Sequence, residues 1–186
     1  GCSALEWLHD KLEILPDIKK TNEICESITG TNGVYFVPAL AGLGAPYWSG
    51  TSKGVIVGLT LDSSKNHIIR AGVESMAYNT GAILEQMNNG GSKVNLIKAD
   101  GGGSNIKFLL QFQAEIANTK LVKNNQTEAT VLGAIYLAGI SAKTYKIEEI
   151  SALIEQAEEY KPTIDEETRN SLISCWEKAV RKACSK

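Results

Sequence analysis

Three consecutive glycines at a strand-to-helix junction constrain the fold of this chain more than any other feature. They are Gly101, Gly102 and Gly103, within the run ADGGGSN at residues 99–105. Glycines at such a junction allow positive φ angles and close approach of the backbone to a ligand. The following helix would add free N–H groups and a positive dipole end, which suit a nucleotide. A tight turn without a ligand is the alternative, because short glycine motifs also arise by chance.

The rest of the chain alternates short strand patterns with amphipathic helix patterns. Apolar periodicity predicts strands at residues 34–37, 54–60, 94–98 and 120–123, and helices at residues 3–12, 18–27, 66–87, 106–117, 131–142, 147–160 and 165–182. The first two strands are expected to pair as a hairpin. Gly72 and Gly81 interrupt the longest helix pattern, and each costs about 1 kcal/mol of helix stability relative to alanine. Close packing around the two glycines is therefore expected to compensate. This order of elements predicts a layered α/β domain.

Composition excludes several classes of function. The formal net charge is −2, which gives no electrostatic case for nucleic acid or an anionic membrane surface. No apolar run reaches the roughly 18 residues that a membrane-spanning helix needs. The 4 cysteines include no Cys-X-X-Cys pair, which disfavours zinc and is typical of free thiols in a reducing compartment. We therefore expect a cytoplasmic protein, and we assign no metal ligands.

The first residues carry a separate indication. The chain begins with Gly1 and Cys2 and enters a helix pattern almost at once. A helix without an entry segment indicates a fragment of a longer chain, and a processed or tagged start is the alternative.

A few polar and aromatic side chains are candidates for chemistry. Glu74 lies four residues after Arg70 on the long helix, which predicts an ion pair. Asp100 follows a strand, and we expect it to fix the glycine turn, with a catalytic role as the alternative. The two histidines, His9 and His67, have no serine or cysteine partner set nearby, which disfavours a nucleophilic triad.

Two aromatic residues close a glycine-rich loop at residues 41–48. Tyr47 and Trp48 are expected to be buried anchors of this loop, with stacking on a substrate as the alternative.

Five segments together resemble the carboxy-terminal half of the FGGY carbohydrate kinases. They include VPALAGLGAPYW at residues 37–48 and DGGGSNIKFLLQFQAEI at residues 100–116, and the others are residues 54–87, 127–139 and 160–183. The resemblance covers nearly the whole chain. GAPYW at residues 44–48 and the segment at residues 160–183 are most similar to the glycerol kinase branch of the family. The GGGS run at residues 101–104 is also like the xylulokinase branch.

The resemblance implies a fold and an activity. The fold is a ribonuclease-H-like, actin-like ATPase domain with a mixed sheet and packed helices. Residues 1–186 would form the second of two domains that are hinged about a cleft. The implied activity is transfer of a phosphoryl group from ATP to a hydroxyl of a small polyol or sugar, with Mg²⁺ held mainly by the other half. The implied partners are ATP or ADP and the protein's own amino-terminal domain, and a homo-oligomer is left open. A non-catalytic actin-like nucleotide-binding module is the alternative from another class.

Site residues follow from the resemblance position by position. The glycines Gly101 to Gly103 would lie against the adenosine part of the nucleotide. Ile106 stands where glycerol kinases have an asparagine that contacts adenine, so Asn105, one residue earlier, or no side chain would make that contact. Gly1 and Glu6 are further candidates, although both depart from the family's pattern in the first helix. The family's catalytic aspartate belongs to a Gly-Asp-Gln motif that residues 1–186 do not contain, so we assign no catalytic residue.

Overall fold

The computed structural model describes residues 3–123, 129–153 and 158–184. The helices are α1 (Ser3–Asp10), α2 (Thr21–Glu26), α3 (Lys65–Asn89), α4 (Lys107–Ala117), α5 (Ala129–Ser141), α6 (Ile147–Leu153) and α7 (Glu166–Cys184). The strands are β1 (Tyr35–Val37), β2 (Val55–Val57), β3 (Ile97–Ala99), β4 (Leu121–Lys123) and β5 (Glu158–Tyr160). Two short 3₁₀ segments, Ile18–Lys20 and Gly102–Asn105, precede α2 and α4. None of the helices in these ranges has the length and apolarity to cross a membrane.

The strands form two small sheets. β1 and β2 pair antiparallel, which confirms the predicted hairpin. β4 lies between β3, to which it is parallel, and β5, to which it is antiparallel, so this sheet is mixed. The prediction of a helix over residues 147–160 is wrong at its carboxyl end, because Glu158–Tyr160 is strand β5. Pairing with β4 and the packing of Tyr160 against Leu110 and Leu121 outweigh the helical periodicity there.

The main core is built around α3. Helices α1, α2 and α4 and strand β1 pack on it, and α7 packs on the β1–β2 hairpin and α4, so the predicted close packing of this helix is confirmed. A Cβ placed on Gly72 would lie 3.0 Å from Leu8 Cδ1, and one on Gly81 would lie 2.8 Å from Ile116 Cγ2. At the centre, the ring of Trp176 stacks on Tyr78 with 5.1 Å between centroids. The two glycines therefore let neighbouring elements approach α3 more closely than alanine would.

Two regions expose large apolar side chains, and one of them, at Trp48, was predicted to be buried. Trp48 is 80% exposed and has a φ of 48°, so the prediction that it anchors the loop from inside is wrong. Its neighbour Tyr47 is half-buried and accepts a hydrogen bond from the Trp176 indole N–H at 3.2 Å. Helix α5 also presents apolar side chains to solvent, among them Leu137 at 70% exposed. Apolar sequence alone does not tell which side of such a segment meets the core.

Candidate functional site

The glycine turn lies where strand β3 ends. Gly101 has φ 79° and ψ −176°, a backbone conformation that is essentially restricted to glycine. The buried Ser104 closes the turn: its Oγ donates to the Gly101 carbonyl at 2.7 Å, and its N–H donates to the same oxygen at 3.0 Å. The Asp100 side chain is exposed, and the hydrogen bonds of the turn come from Ser104. The prediction that Asp100 fixes the turn is therefore wrong.

The turn presents bare backbone. A Cβ built on Gly101 or on Gly102 would meet no heavy atom within 4 Å, and both residues are exposed. Gly102 does not have a positive φ, so its own conformation does not demand glycine. In open α/β sheets, ligands bind beyond the carboxyl ends of parallel strands, which is where this turn lies. The space beside Gly102 can therefore take a flat ligand against the main chain.

The two residues after Ser104 differ in their exposure to solvent. Asn105 is exposed, whereas Ile106 is 7% exposed and belongs to the main hydrophobic core. Ile106, which the resemblance places at the adenine-contacting position, is thus a core residue. Asn105 is an exposed amide side chain that follows the glycines, as the exposed Asp100 carboxylate precedes them.

The start of α4 is less open than the sequence suggests. The backbone N–H of Phe108 donates to Asn22 Oδ1 at 2.9 Å, and Asn22 belongs to α2. The Ile106 N–H donates to the Gly103 carbonyl at 3.1 Å. Two of the amide groups that the prediction offered to a ligand are therefore satisfied within the protein. The exposed backbone of the glycine turn itself is the surface that remains available.

The other predicted site residues lie elsewhere or outside the described ranges. Glu6 is exposed on α1, a helix whose main contacts are with α3 and with Ile18–Lys20. Gly1 lies outside the described residues, so its assignment stays a prediction.

A buried ion pair adjoins the site. Arg70 Nε lies 2.9 Å from Glu74 Oε1, which confirms the predicted pair; Glu74 is buried and Arg70 is largely buried. Burial raises the pKa of Glu74 to about 7, although Arg70 partly opposes that rise. The guanidinium of Arg70 also lies 4.4 Å from the centre of the Phe108 ring.

Sequence analysis missed Asn22 and Phe108 altogether. They are 86 residues apart, and no periodicity or motif links them.

No group of three or more histidine, cysteine, aspartate or glutamate side chains within the described ranges could hold a metal ion. Magnesium prefers carboxylate oxygens, and the carboxylate next to the glycine turn in sequence is the exposed Asp100. These residues do not form a magnesium site by themselves.

A cavity of about 280 Å³ lies at the opposite end of α4. Its lining includes Tyr78, Ile116 and Trp176, whose side chains belong to the core. Helix α4 has 11 residues and is therefore about 16 Å long, so the cavity is remote from the glycine turn. Tyr47, the alternative candidate for stacking on a substrate, lines it from the loop at residues 41–48, but Gly101–Gly103, Asn105 and Glu6 do not.

Comparison with known proteins identifies the family. Residues 2–142 match the family model described as the FGGY family of carbohydrate kinases, C-terminal domain. The chain belongs to this family. It is 45% identical over 185 residues to a glycerol kinase from Clostridium perfringens, an alignment that covers 98% of this chain and 37% of that protein. The chain thus spans little more than a third of the length of the curated FGGY relatives that it matches.

Solved structures of FGGY kinases share the fold. A glycerol kinase of Plasmodium falciparum, solved with ADP, superposes with a TM-score of 0.90 at 30% identity, covering 99% of this chain and 37% of that one. A xylulose kinase from Lactobacillus acidophilus gives a TM-score of 0.83 at 24% identity and covers 98% of this chain and 38% of that one. The predicted sugar kinase fold, with its mixed sheet and packed helices, is confirmed.

Proposed function

We propose that this chain is the nucleotide-binding part of an ATP-dependent glycerol kinase, and that Gly101–Gly103 receive the adenosine of ATP. The observation that carries the proposal is the open backbone at Gly101 and Gly102, which leaves room for a ligand beyond the end of β3. The identity of 45% to a glycerol kinase, and the likeness to a glycerol kinase solved with ADP, support it.

Each part of the turn has a role in this proposal. The glycines lack Cβ atoms, so the adenosine can lie directly against the main chain. Asn105 offers an amide that can both donate to and accept from the edge of a base. Ser104 keeps the turn rigid through its two hydrogen bonds to the Gly101 carbonyl. The chain therefore holds and orients the donor, which is the main contribution that proteins make to phosphoryl transfer.

The remaining machinery belongs to the other part of the proposed enzyme. A catalytic aspartate, the acceptor pocket and the ligands of Mg²⁺ would come from the amino-terminal domain, which would be the main protein partner. Glycerol is the proposed acceptor, because relatives that are 40–45% identical are glycerol kinases. Xylulose is the acceptor to compare with it, because xylulose kinases share the fold.

Gly102→Val in the full-length protein tests the nucleotide assignment. The added Cβ meets open space within the chain, and no positive φ opposes the substitution, so its steric cost falls on the ligand. We expect the KM for ATP to rise about tenfold or more, since small displacements of a bound substrate are costly. The KM for glycerol should change less than about twofold, and xylulose should support little ADP release.

Gly50→Val is the matched control, because Gly50 is also exposed and its Cβ would also meet open space. It should leave both KM values unchanged. Equal increases for ATP and glycerol in Gly102→Val, or none for ATP, would mean that the glycines only form a turn. Faster ADP release with xylulose than with glycerol would refute the proposed acceptor.

A further inference from the structure

Three elements converge on one residue at the start of α4. The Phe108 N–H donates to Asn22 Oδ1 from α2 at 2.9 Å. The Phe108 ring lies under the guanidinium of Arg70 from α3, with 4.4 Å from Cζ to the ring centre. We call Asn22, Arg70 and Phe108 the Phe108 clamp. Phe108 comes three residues after Asn105, so the clamp holds the chain immediately beyond the glycine turn.

Arg70 is itself rigidly held. It pairs with Glu74, and its NH1 donates to the carbonyl of Cys25 at 3.0 Å and to the carbonyl of Ile28. These two carbonyls lie at the carboxyl end of α2, so Arg70 binds one end of α2 while Asn22 reaches α4 from the other. Only 12% of the Arg70 side chain is exposed. A guanidinium that is largely removed from water interacts more strongly with an aromatic face than an exposed one does.

The contact from Asn22 differs from an ordinary helix cap. A usual cap comes from the residue just before the helix and stabilises that helix alone. Asn22 caps α4 from a different helix, so its hydrogen bond fixes where α4 begins relative to α2 and α3. Removing the amide oxygen would leave the part-buried Phe108 N–H without its partner and release that constraint.

The glycine turn is therefore anchored at both ends. On one side, Ile97–Ala99 pairs with Leu121–Lys123 in the mixed sheet. On the other side, the clamp holds Phe108. A binding surface that is held in its bound conformation loses less entropy when the ligand arrives. Loosening the clamp would let the bare backbone shift and weaken the fit to a ligand.

We propose that Asn22 and Arg70 are positioning residues for the nucleotide: they act through Phe108 and set the place and orientation of the glycine turn. This inference rests on the proposed binding of adenosine at Gly101–Gly103. It adds two residues, which lie on α2 and α3, to the proposed nucleotide site.

The test is Asn22→Ala in the full-length protein, with Asn22→Asp as the conservative variant. We expect Asn22→Ala to raise the KM and the calorimetric dissociation constant for ATP about tenfold. The KM for glycerol should change by less than about twofold. Asn22→Asp retains an oxygen that accepts from the Phe108 N–H, so it should restore ATP binding to within about threefold of the parent. Phe108→Leu, which keeps apolar bulk but removes the ring beneath Arg70, should give the same selective loss.

Asp165→Ala is the matched control for a general loss of stability. Asp165 is an ordinary local cap of α7: its carboxylate accepts from the Thr168 N–H at 2.7 Å, so its loss removes a capping hydrogen bond of similar length without touching α2, α3 or α4. It should lower the melting temperature and leave the KM for ATP unchanged. The inference is overturned if Asn22→Ala and Asp165→Ala raise that KM equally, or if Asn22→Ala and Phe108→Leu leave it unchanged while Gly102→Val raises it. If none of these variants affects ATP, the proposed nucleotide site is itself wrong, and the inference fails with it.

Discussion

Glu74 shows how strongly burial changes the properties of one residue. Its side chain is 6% exposed, and its partner Arg70 is 12% exposed. An exposed pair at this spacing would contribute about 0.3–0.5 kcal/mol. Here the loss of hydration outweighs the attraction of Arg70, and the pKa of Glu74 rises to about 7 instead of its ordinary 4.5. Near neutral pH, the charged form of this carboxyl is therefore costly in the folded protein.

The stability contributed by Glu74 should fall as pH rises. Between its ordinary pKa and about 7 the folded protein holds a proton that the unfolded chain has lost, so raising the pH favours unfolding. In the full-length protein, the melting temperature of the parent minus that of Glu74→Gln should decrease from about pH 5 to about pH 8. Thermal melts in a buffer series measure this, and the comparison cancels the groups that the two proteins share. A difference that is independent of pH would show that the pKa of Glu74 is not raised.

At the residue scale, sequence analysis succeeded where the cause is local. Gly101 needs a conformation that glycine alone adopts readily, and the run of glycines predicted it. The spacing of Arg70 and Glu74 predicted their pairing, but not their burial, because burial depends on α2 and α4 packing over them. The Asn22–Phe108 bond joins residues 86 apart and left no local signal. Ile106 was a departure from the family pattern that only its place in the core explained.

At the scale of elements, α4 packs closely on α3 at Gly81 of α3. Gly81 has no side chain, and Ile116 Cγ2 occupies the space that a Cβ would need. Alanine is favoured over glycine in a helix by about 1 kcal/mol, but overpacking a core costs about 1–3 kcal/mol. Crowding by Ile116 therefore decides whether a change of Gly81 to alanine stabilises or destabilises the protein.

Gly81→Ala should destabilise the protein in the parent background and stabilise it in an Ile116→Ala background. Truncating Ile116 removes the methyl group that lies 2.8 Å from the new Cβ, so the intrinsic preference of the helix for alanine then prevails. Melting temperatures of the two single variants, the double variant and the parent, all in the full-length protein, measure the coupling. Gly81→Ala effects of the same sign in both backgrounds would exclude this steric explanation.

Sequence periodicity predicted the described helices better than the strands. The predicted hairpin formed because both strands are short, apolar and close together in the chain. Strand β5 was missed, because residues 147–160 read as one amphipathic helix, while its pairing partner β4 is more than 30 residues away. Helix α5 has apolar residues on all sides, so its sequence gave no direction for the buried face. Contacts with residues that are distant in sequence determine both the strand conformation of β5 and the face of α5 that is buried.

For the whole molecule, the main fact is that this chain corresponds to 37% of the length of related glycerol kinases. Binding the donor and catalysing its reaction are separate tasks, and phosphoryl transfer also needs a positioned acceptor and a catalytic carboxylate. In the proposed function, the glycine turn contributes to donor binding and to neither of the other two requirements.

The 186-residue chain by itself should therefore show no kinase activity. It contains no Gly-Asp-Gln tripeptide, and no metal-binding cluster occurs within residues 3–123, 129–153 and 158–184. A coupled ADP-release assay with ATP and glycerol should give only background turnover, while the full-length protein is active under the same conditions. Circular dichroism should accompany the assay to verify that the chain is folded. Turnover well above background would place catalytic groups within these residues.

The three tryptophans give the molecule an intrinsic optical readout. Trp176 is 2% exposed and stacked on Tyr78, Trp48 is 80% exposed, and Trp7 is half-buried beside Phe36. Emission from Trp48 should lie at long wavelength and be quenched by iodide, because water and ions reach its indole freely. Emission from Trp176 should be blue-shifted and resist the quencher until α7 separates from α3. Fluorescence can thus report on the loop at residues 41–48 and on the core separately, without an attached dye.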